Sequence, residues 1–331
     1  MRRRDFIKVV CVSATAWPLT ARAQQADRVR RIGVLMAHPA SDPEYQSYLS
    51  AFRQEIAERG WLEGRNVKID ARWGALDDPE IRERSAKELL ALKPDLLLTQ
   101  NTPPTGSMLH LTRTVPVIFV VVTDPVGSGF VKSLALPGGN ATGFTIMEPT
   151  MGGKWLELLK EIAPQVRRVA FLFNPATAPY VDVYLNPFKA AAVSLGLEGF
   201  PAPVREESEF ETIFAAQART PNSGLVLIPD GFLNVHRVKI TMLAAQYHLP
   251  AVDPWRYFAE LGGLLSYGAD QGDQFRLAAT YADRILKGEK PSNLPVQAPA
   301  KFELVINLKT AKALGLDVPS HIQQLADFVI E

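Results

Sequence analysis

The sequence predicts an α/β protein of two similar lobes, each built on a parallel sheet. At 331 residues the chain is longer than one typical hydrophobic core. Apolar runs of strand length alternate with segments of helical spacing, which is typical of βαβ units. The order of strand, polar loop and helix in the first half returns in the second, where VAFLFNPAT corresponds to IGVLMAHPA and GLVLIPDGF to DLLLTQNTP.

The first half contains four predicted strands, of which the fourth is the most informative. The apolar run Val117–Val122 is too continuous for a half-exposed strand and favours burial on both faces of a sheet. It ends in Thr123-Asp124-Pro125, where an open α/β sheet presents its ligand-binding loops. The Pro-Gly-Gly-Asn segment at 137–140 then predicts the hinge out of this lobe. The predicted strands are 31–36, 67–73, 95–99 and 115–122, and the predicted helices are 48–57, 79–92 and a helix that Thr102 and Pro103 open as N-cap and first residue.

The second half repeats this order and then departs from it. The predicted strands are 168–173, 197–202, 224–228 and 249–253, and the predicted helices are 151–162, 188–195, 210–218 and one that reaches residue 247. The tail adds a strand at 263–268, a helix at 273–286, a linker at 291–295, a strand at 302–307 and a helix at 310–314. A tail of this kind returns to the first lobe and crosses again, so several hinge segments are expected.

Charge and composition indicate a globular protein without a polyanionic partner. The chain has 36 Lys and Arg against 35 Asp and Glu, and 47% of its residues are hydrophobic. This balance is ordinary for a soluble domain and does not indicate a nucleic-acid or membrane-surface partner.

The first 23 residues predict an export signal. A basic segment (2–8) precedes a short apolar run (9–16), and Ala21-Arg22-Ala23 forms a cleavage site. The run is shorter than the roughly 18 apolar residues that a membrane span needs. Paired arginines followed by Asp-Phe-Ile-Lys indicate twin-arginine export, with Sec export as the alternative. The mature chain would begin at Gln24 in the periplasm and would lack cysteine, because Cys11 leaves with the signal.

Catalytic and cofactor motifs are missing from the sequence. No G-x-G-x-x-G follows the first strand, and there is no P-loop, no G-x-S-x-G and no cysteine pair for a racemase. The five histidines are scattered without H-E-x-x-H or a cysteine partner, so no metal site is expected. We predict no catalytic residue and no cofactor. A two-lobe cleft enzyme and a periplasmic ligand sensor remain the alternatives.

Several segments occur together in one known family. The chain contains, in order from about residue 31 to 331, the segments WLEGRNV, KPDLLLT, DPVGSG, LPGGNATGF, GKWLELLKEIAP, GGLLSYG, ADRILKGEKPSNLPV and KFELVINLKTAKALGL. They resemble the solute-binding proteins of ABC importers, in the type I periplasmic-binding family that includes tryptophan- and phenylalanine-type binders. The resemblance implies two Rossmann-like lobes, about three hinge crossings, a small ligand between the lobes, and a monomer that serves an ABC permease in the membrane.

The lobe boundaries follow from the predicted hinges. The first lobe is expected to comprise residues 27–145 and about 263–292. The second lobe is expected to comprise residues 146–262 and about 293–331.

In such a fold the ligand lies against loops that follow strand ends, which gives the candidate binding residues. They are His38, Gln100, Asn101, Thr102, Thr123 and Asp124 in the first lobe, Asn174, Thr177, Asp230 and Trp255 in the second, and Tyr267 in the predicted hinge. The whole loop from Asp253 to Trp255 is a candidate part of the binding site. Four aromatic residues could stack on an apolar part of the ligand, although core packing is the more common role: Tyr180, Phe232, Trp255 and Tyr267.

Charged groups at the strand ends suggest how a ligand is held. Asp124 and Asp230 are expected to face the cleft from opposite lobes, where a ligand amine could bridge them. The alternative is that they cap the turn and the helix that follow them. Thr102 at a helix N-terminus could hold a carboxylate, but Pro103 and Pro104 remove two N–H donors where related sequences commonly have one proline.

Overall fold

The computed structural model describes residues 28–74, 76, 78–146 and 148–331. The predicted export signal, residues 1–23, lies outside the described residues. Two separate sheets with helices on their faces confirm the predicted two-lobe α/β fold. Within the described ranges, none of the helices is long and apolar enough to span a bilayer.

The first lobe is built on a parallel sheet of five strands in the order β2-β1-β3-β4-β5. Asp42 and Asp78 cap the first two helices, and each is followed by a proline, which fixes where these helices begin. The strands are β1 (Arg30–Leu35), β2 (Val67–Arg72), β3 (Leu96–Gln100), β4 (Val117–Val122) and β5 (Ala141–Thr145), and the helices are α1 (Pro43–Glu58), α2 (Pro79–Ala91) and α3 (Thr102–Leu111). Every residue of β3, β4 and β5 is buried, and for β4 this confirms the burial predicted from its continuous apolar run.

The second lobe is built on a sheet of seven strands in the order β12-β11-β10-β9-β8-β6-β7, in which only the β10–β11 pair is antiparallel. The strands are β6 (Arg168–Phe173), β7 (Glu198–Pro203), β8 (Ser223–Leu227), β9 (Ala251–Asp253), β10 (Leu265–Ala269), β11 (Phe302–Asn307) and β12 (Phe328–Ile330). The helices are α4 (Met151–Ile162), α5 (Val181–Ser194), α6 (Glu209–Ala218), α7 (Gly231–Val235), α8 (Arg237–Gln246), α9 (Arg256–Glu260), α10 (Gln271–Leu286), α11 (Leu308–Ala313) and α12 (Ser320–Leu325).

Three segments cross between the lobes. They join β5 to α4, β10 to α10, and Gln297 to β11. The helix α10 lies against α1 of the first lobe, where the rings of Tyr48 and Phe275 stack with centroids 5.7 Å apart and the Trp61 indole donates to Asp283 at 2.9 Å. The lobes are therefore joined by three separate backbone segments rather than by a single linker.

Two sequence expectations about the hinges need correction. The strand expected at 263–268 in the first lobe is β10 of the second sheet, because its backbone pairs with β9 on one side and β11 on the other. The chain enters the first lobe only with α10 and stays against it to Gln297, whose N–H donates to the Gly143 carbonyl at 3.0 Å. The Pro-Gly-Gly-Asn segment at 137–140 is not the crossing, since β5 still follows it in the first sheet.

A strained residue near the end of β4 is held by the returning helix. Val121 has a φ of 58°, which a β-branched residue rarely adopts, at an irregularity in the β4–β5 register. Its N–H donates to Gln274 Oε1 at 2.9 Å, and Gln274 Nε2 donates to the Thr145 carbonyl at 3.2 Å. One buried amide thus connects α10 to β5 and to β4, two residues before Thr123.

Replacing this amide tests its role in the fold. We expect Gln274→Leu to lower the free energy of unfolding by about 2–4 kcal/mol, because two buried backbone groups lose their hydrogen bonds. Urea-induced unfolding of the chain from Gln24 measures the change, with Gln324→Leu at an exposed position of α12 as the control. Equal stability of both variants would contradict the assignment.

Candidate functional site

The carboxyl ends of the two sheets meet at an ion pair between the lobes. Asp42 follows β1, and its Oδ2 accepts a 2.6 Å hydrogen bond from Arg237 Nη2 at the start of α8. The side chains are only 9% and 16% exposed, and the guanidinium lies 5.0 Å from the centre of the Tyr257 ring. The other guanidinium arm donates to the Asn234 carbonyl at 3.0 Å. Since Asp42 Oδ1 also caps α1, a helix start in one lobe is tied to a helix start in the other.

His38 is buried beside this ion pair. Its ring stacks on Tyr45 with centroids 3.6 Å apart and planes 13° apart, and Nδ1 has no hydrogen-bond partner among the described residues. Burial, with a further contribution from the positive charge of Arg237, lowers the pKa of His38 to about 3. The imidazole is therefore neutral at neutral pH and can serve as a hydrogen-bonding or stacking group, but not as a cation.

The turn between β3 and α3 offers side chains rather than backbone donors. Asn101, and not Thr102, is the N-cap: it has a φ of 76°, and its Oδ1 accepts the Thr102 N–H at 2.7 Å. The Thr105 N–H donates to the Asn101 carbonyl at 3.2 Å, and the two prolines between them have no N–H. Gln100 Oε1 accepts from Ala37 at 3.2 Å, whereas Gln100 Nε2 and the Thr102 hydroxyl are buried without a partner in the described part of the chain.

Thr123 and Asp124, at the end of β4, differ in their surroundings. The Thr123 hydroxyl lies beside the Tyr180 and Tyr184 hydroxyls of the second lobe, so it belongs to the junction of the lobes. Asp124 Oδ1 instead accepts the Gly127 N–H at 2.7 Å at the surface. The turn-capping alternative therefore describes Asp124 better than a position opposite Asp230.

Asn174, Thr177 and Asp230 form a network within the second lobe. The Asp230 carboxylate accepts from the Asn174 N–H at 2.5 Å, the Thr177 hydroxyl at 2.5 Å and the Phe232 N–H at 2.9 Å. The last bond makes Asp230 the N-cap of α7. Burial raises the pKa of Asp230 to about 6, against the lowering effect of these bonds. Both carboxylate oxygens are thus already occupied by protein donors.

Asp253, at the end of β9, is a buried carboxyl with fewer partners. It is 3% exposed, and one oxygen accepts the Trp255 N–H at 2.7 Å. Burial raises the pKa of Asp253 to about 8, although the Trp255 N–H and the charge of Arg237 both lower it. Ser266 is its register partner on β10, and the Ser266 hydroxyl is buried without a partner in the described residues.

The aromatic candidates separate into two groups. Trp255 is 3% exposed and its indole N–H lacks a partner among the residues described, so it can still donate to a ligand. Tyr267 stacks on Phe302 at 6.0 Å and packs with the hydrophobic cluster on the opposite face of the second sheet, away from the cleft. The Phe232 ring lies 4.5 Å from His236, within the packing of the second lobe.

Sequence reasoning missed residues that reach the junction from helices. Tyr45 on α1, Arg237 on α8 and Tyr257 on α9 lie in the first turns of helices, outside the strand-end loops themselves. The hydroxyls of Tyr45 and Tyr257 lie close to each other across the lobes. A usable signal was present, since each helix follows a capping or strand-end loop and a polar side chain in its first turns points back toward that loop.

Comparison with known proteins identifies the family. Residues 31–330 match the family model described as ABC transporter substrate binding protein. The tyrosine-binding protein of Clostridioides difficile (strain R20291) is 26% identical over 290 residues, which are 87% of this chain and 81% of that protein.

Two solved structures share both fold and sequence with the chain. An ABC domain from Streptococcus pneumonia in complex with L-Trp is 27% identical with a TM-score of 0.83, over 91% of this chain and 99% of that one. A conserved domain protein from Vibrio cholerae is 26% identical with a TM-score of 0.83, over 91% and 100% of the two chains. These likenesses confirm the predicted type I periplasmic-binding fold.

The relatives named for a ligand are binding proteins and not enzymes, in agreement with the predicted lack of catalysis. Because the family model covers nearly all of the described residues, the chain belongs to the ABC transporter substrate binding protein family.

Proposed function

We propose that the chain is the extracytoplasmic solute-binding subunit of an ABC importer. It binds one small organic ligand, an amino acid or a related molecule, between its lobes and presents the closed form to a membrane permease. The observation that carries the proposal is the set of buried polar atoms without protein partners where the lobes meet: His38 Nδ1, Gln100 Nε2, Thr102 Oγ1, Trp255 Nε1 and Ser266 Oγ, within the described residues. Native proteins rarely leave such atoms unsatisfied, and a ligand between the lobes supplies their partners.

The relatives support the size and kind of ligand. One is named a tyrosine-binding protein, and another was solved in complex with L-Trp. In this chain, Trp255 and the stacked rings of His38 and Tyr45 provide apolar surface for a ligand of similar size.

Closure is the mechanism by which binding becomes a signal to the permease. A ligand that contacts both lobes binds the closed state better than the open state, so it shifts the population toward closed. The Asp42–Arg237 ion pair adds a ligand-independent contribution to the same state, since it forms only when the lobes meet.

The test of the function is identification of the ligand together with the change in shape. Native mass spectrometry of the chain purified from the periplasm is expected to show a bound small molecule. After removal of that molecule by unfolding and refolding, small-angle scattering is expected to show a larger radius that decreases when the molecule is returned. Conversion of the molecule into a product would favour the cleft enzyme instead.

The ion pair gives a prediction about affinity. Asp42→Asn keeps an oxygen that caps α1 but removes the charge opposite Arg237. We expect the apparent Kd of the copurified ligand to rise about tenfold, because loss of a largely buried ion pair weakens the closed state. Glu260→Gln removes an exposed ion pair within α9 and is the control, with unchanged Kd measured by calorimetry. Equal affinities of both variants would show that the pair does not favour closure.

The buried carboxyl of Asp253 gives a prediction about pH. Since its folded pKa lies near 8, above that of an unfolded chain, its contribution to stability is lost as pH rises from about 4 to 8. We therefore expect Asp253→Asn to melt several degrees above the ligand-free parent protein at pH 8 and within a degree or so of it at pH 4. Thermal unfolding across this range measures the difference. A constant difference at every pH would rule out ionisation as its cause.

Export gives a prediction that concerns the first 23 residues. If the paired arginines are a twin-arginine signal, Arg3→Lys combined with Arg4→Lys is expected to leave the uncleaved precursor in the cytoplasm. Cell fractionation and the mass of the exported chain measure both location and cleavage after Ala23. Normal export of the variant would indicate the Sec route.

A further inference from the structure

The helix end that could receive a ligand carboxylate is blocked. A helix N-terminus binds anions through its unpaired N–H groups. At α3 the Thr102 N–H is taken by the Asn101 side chain and the Thr105 N–H by the Asn101 carbonyl. Pro103 and Pro104 contribute no N–H. All four first-turn positions are thus committed or lack a donor, and only the uncharged Thr102 hydroxyl and Gln100 amide remain beside them.

The charges at the junction of the lobes do not favour an anion either. Arg237 is already paired with Asp42 at 2.6 Å, and His38 is a neutral ring. Asp230 and Asp253 add two buried carboxyl groups. A ligand carboxylate would therefore enter a buried region beside acidic groups without a free cation among those described, which is costly.

Asp253 is the buried carboxyl whose ionised form has no counter-charge paired with it among the described residues. Asp230 receives three hydrogen bonds from the protein, whereas Asp253 receives one, from the Trp255 N–H, and the described residues donate none to its second oxygen. The titratable or charged groups that face it are Arg237 and Tyr257, and neither forms an ion pair with it. A ligand ammonium would supply the missing counter-charge.

We propose that the cleft selects an amine without an α-carboxylate, and that Asp253 binds its ammonium group. This inference rests on the proposed function, of which it names the ligand class. Asp253 thereby sets specificity, because its ionised form supplies the counter-charge that the amine requires. The raised pKa of Asp253 is consistent with this role, since an ammonium partner would ionise a carboxyl that is otherwise held protonated by burial.

Matched ligand pairs provide the test. Tyramine and tyrosine differ only in the α-carboxylate, as do tryptamine and tryptophan. Calorimetry with the chain from Gln24 is expected to show at least tenfold tighter binding of the amine in at least one pair. At pH 7, amine binding is also expected to release protons, because Asp253 becomes ionised. Titrations in buffers of different ionisation heat detect this release.

Two variants separate the contributions of the carboxyl and of the helix end. Asp253→Asn is expected to weaken the amine about thirtyfold and to abolish proton release. Asp283→Asn changes a buried aspartate outside the cleft and is the matched control, with unchanged affinity. Pro103→Ala combined with Pro104→Ala restores two N–H donors. This variant is expected to have a smaller ratio of amine affinity to amino-acid affinity than the parent protein.

The outcomes distinguish this inference from the proposed function. Equal or tighter binding of the amino acid in both pairs overturns the amine preference, and an Asp253→Asn variant with unchanged amine affinity overturns the role of Asp253. If the amine preference fails but tyrosine or tryptophan binds and lowers the radius measured by small-angle scattering, the solute-binding function still holds. If none of the four ligands binds, the inference is also overturned. The proposed function is then tested separately, by the identity of the copurified molecule.

Discussion

The ion pair between Asp42 and Arg237 is the contact on which the arrangement of the site depends. It joins a loop after the first strand of one sheet to a helix after the β8 loop of the other. Arg237 also lies over Tyr257 and near His38, so its charge adds to the burial that lowers the pKa of His38. A largely buried pair of this kind contributes to orientation as well as to stability.

Buried polar side chains at the junction of the lobes differ in how fully the protein satisfies their hydrogen bonds. Asp230 is surrounded by donors and organises the Asn174–Thr177 loop, so it supports the shape of the second lobe. Among the described residues, Asp253 accepts a hydrogen bond from the Trp255 N–H alone, and burial raises the pKa of its carboxyl to about 8. The neutral Gln100 and Thr102 side chains lack partners at lower cost. The unsatisfied groups thus lie at the junction of the lobes, where the proposed ligand would bind.

The helix that follows the second crossing is attached firmly to the first lobe. Three backbone segments cross between the lobes, and α10 is packed on α1 while its Gln274 amide holds the strained end of β4. This attachment fixes the end of β4, where the Thr123 hydroxyl lies beside Tyr180 and Tyr184 of the second lobe. Sequence patterns gave no indication of the hydrogen bond between Val121 and Gln274, because these residues lie 153 positions apart.

The sequence by itself determined the fold class and most helices and strands, because period and turn chemistry are local properties. Helix Met151–Ile162 begins and ends where predicted. Tertiary structure alone decided that Asp124 caps a surface turn, that Tyr267 faces away, and that β10 pairs in the second sheet. It also decided that Arg237 meets Asp42. These outcomes depend on which distant groups are neighbours, and a linear pattern does not encode that.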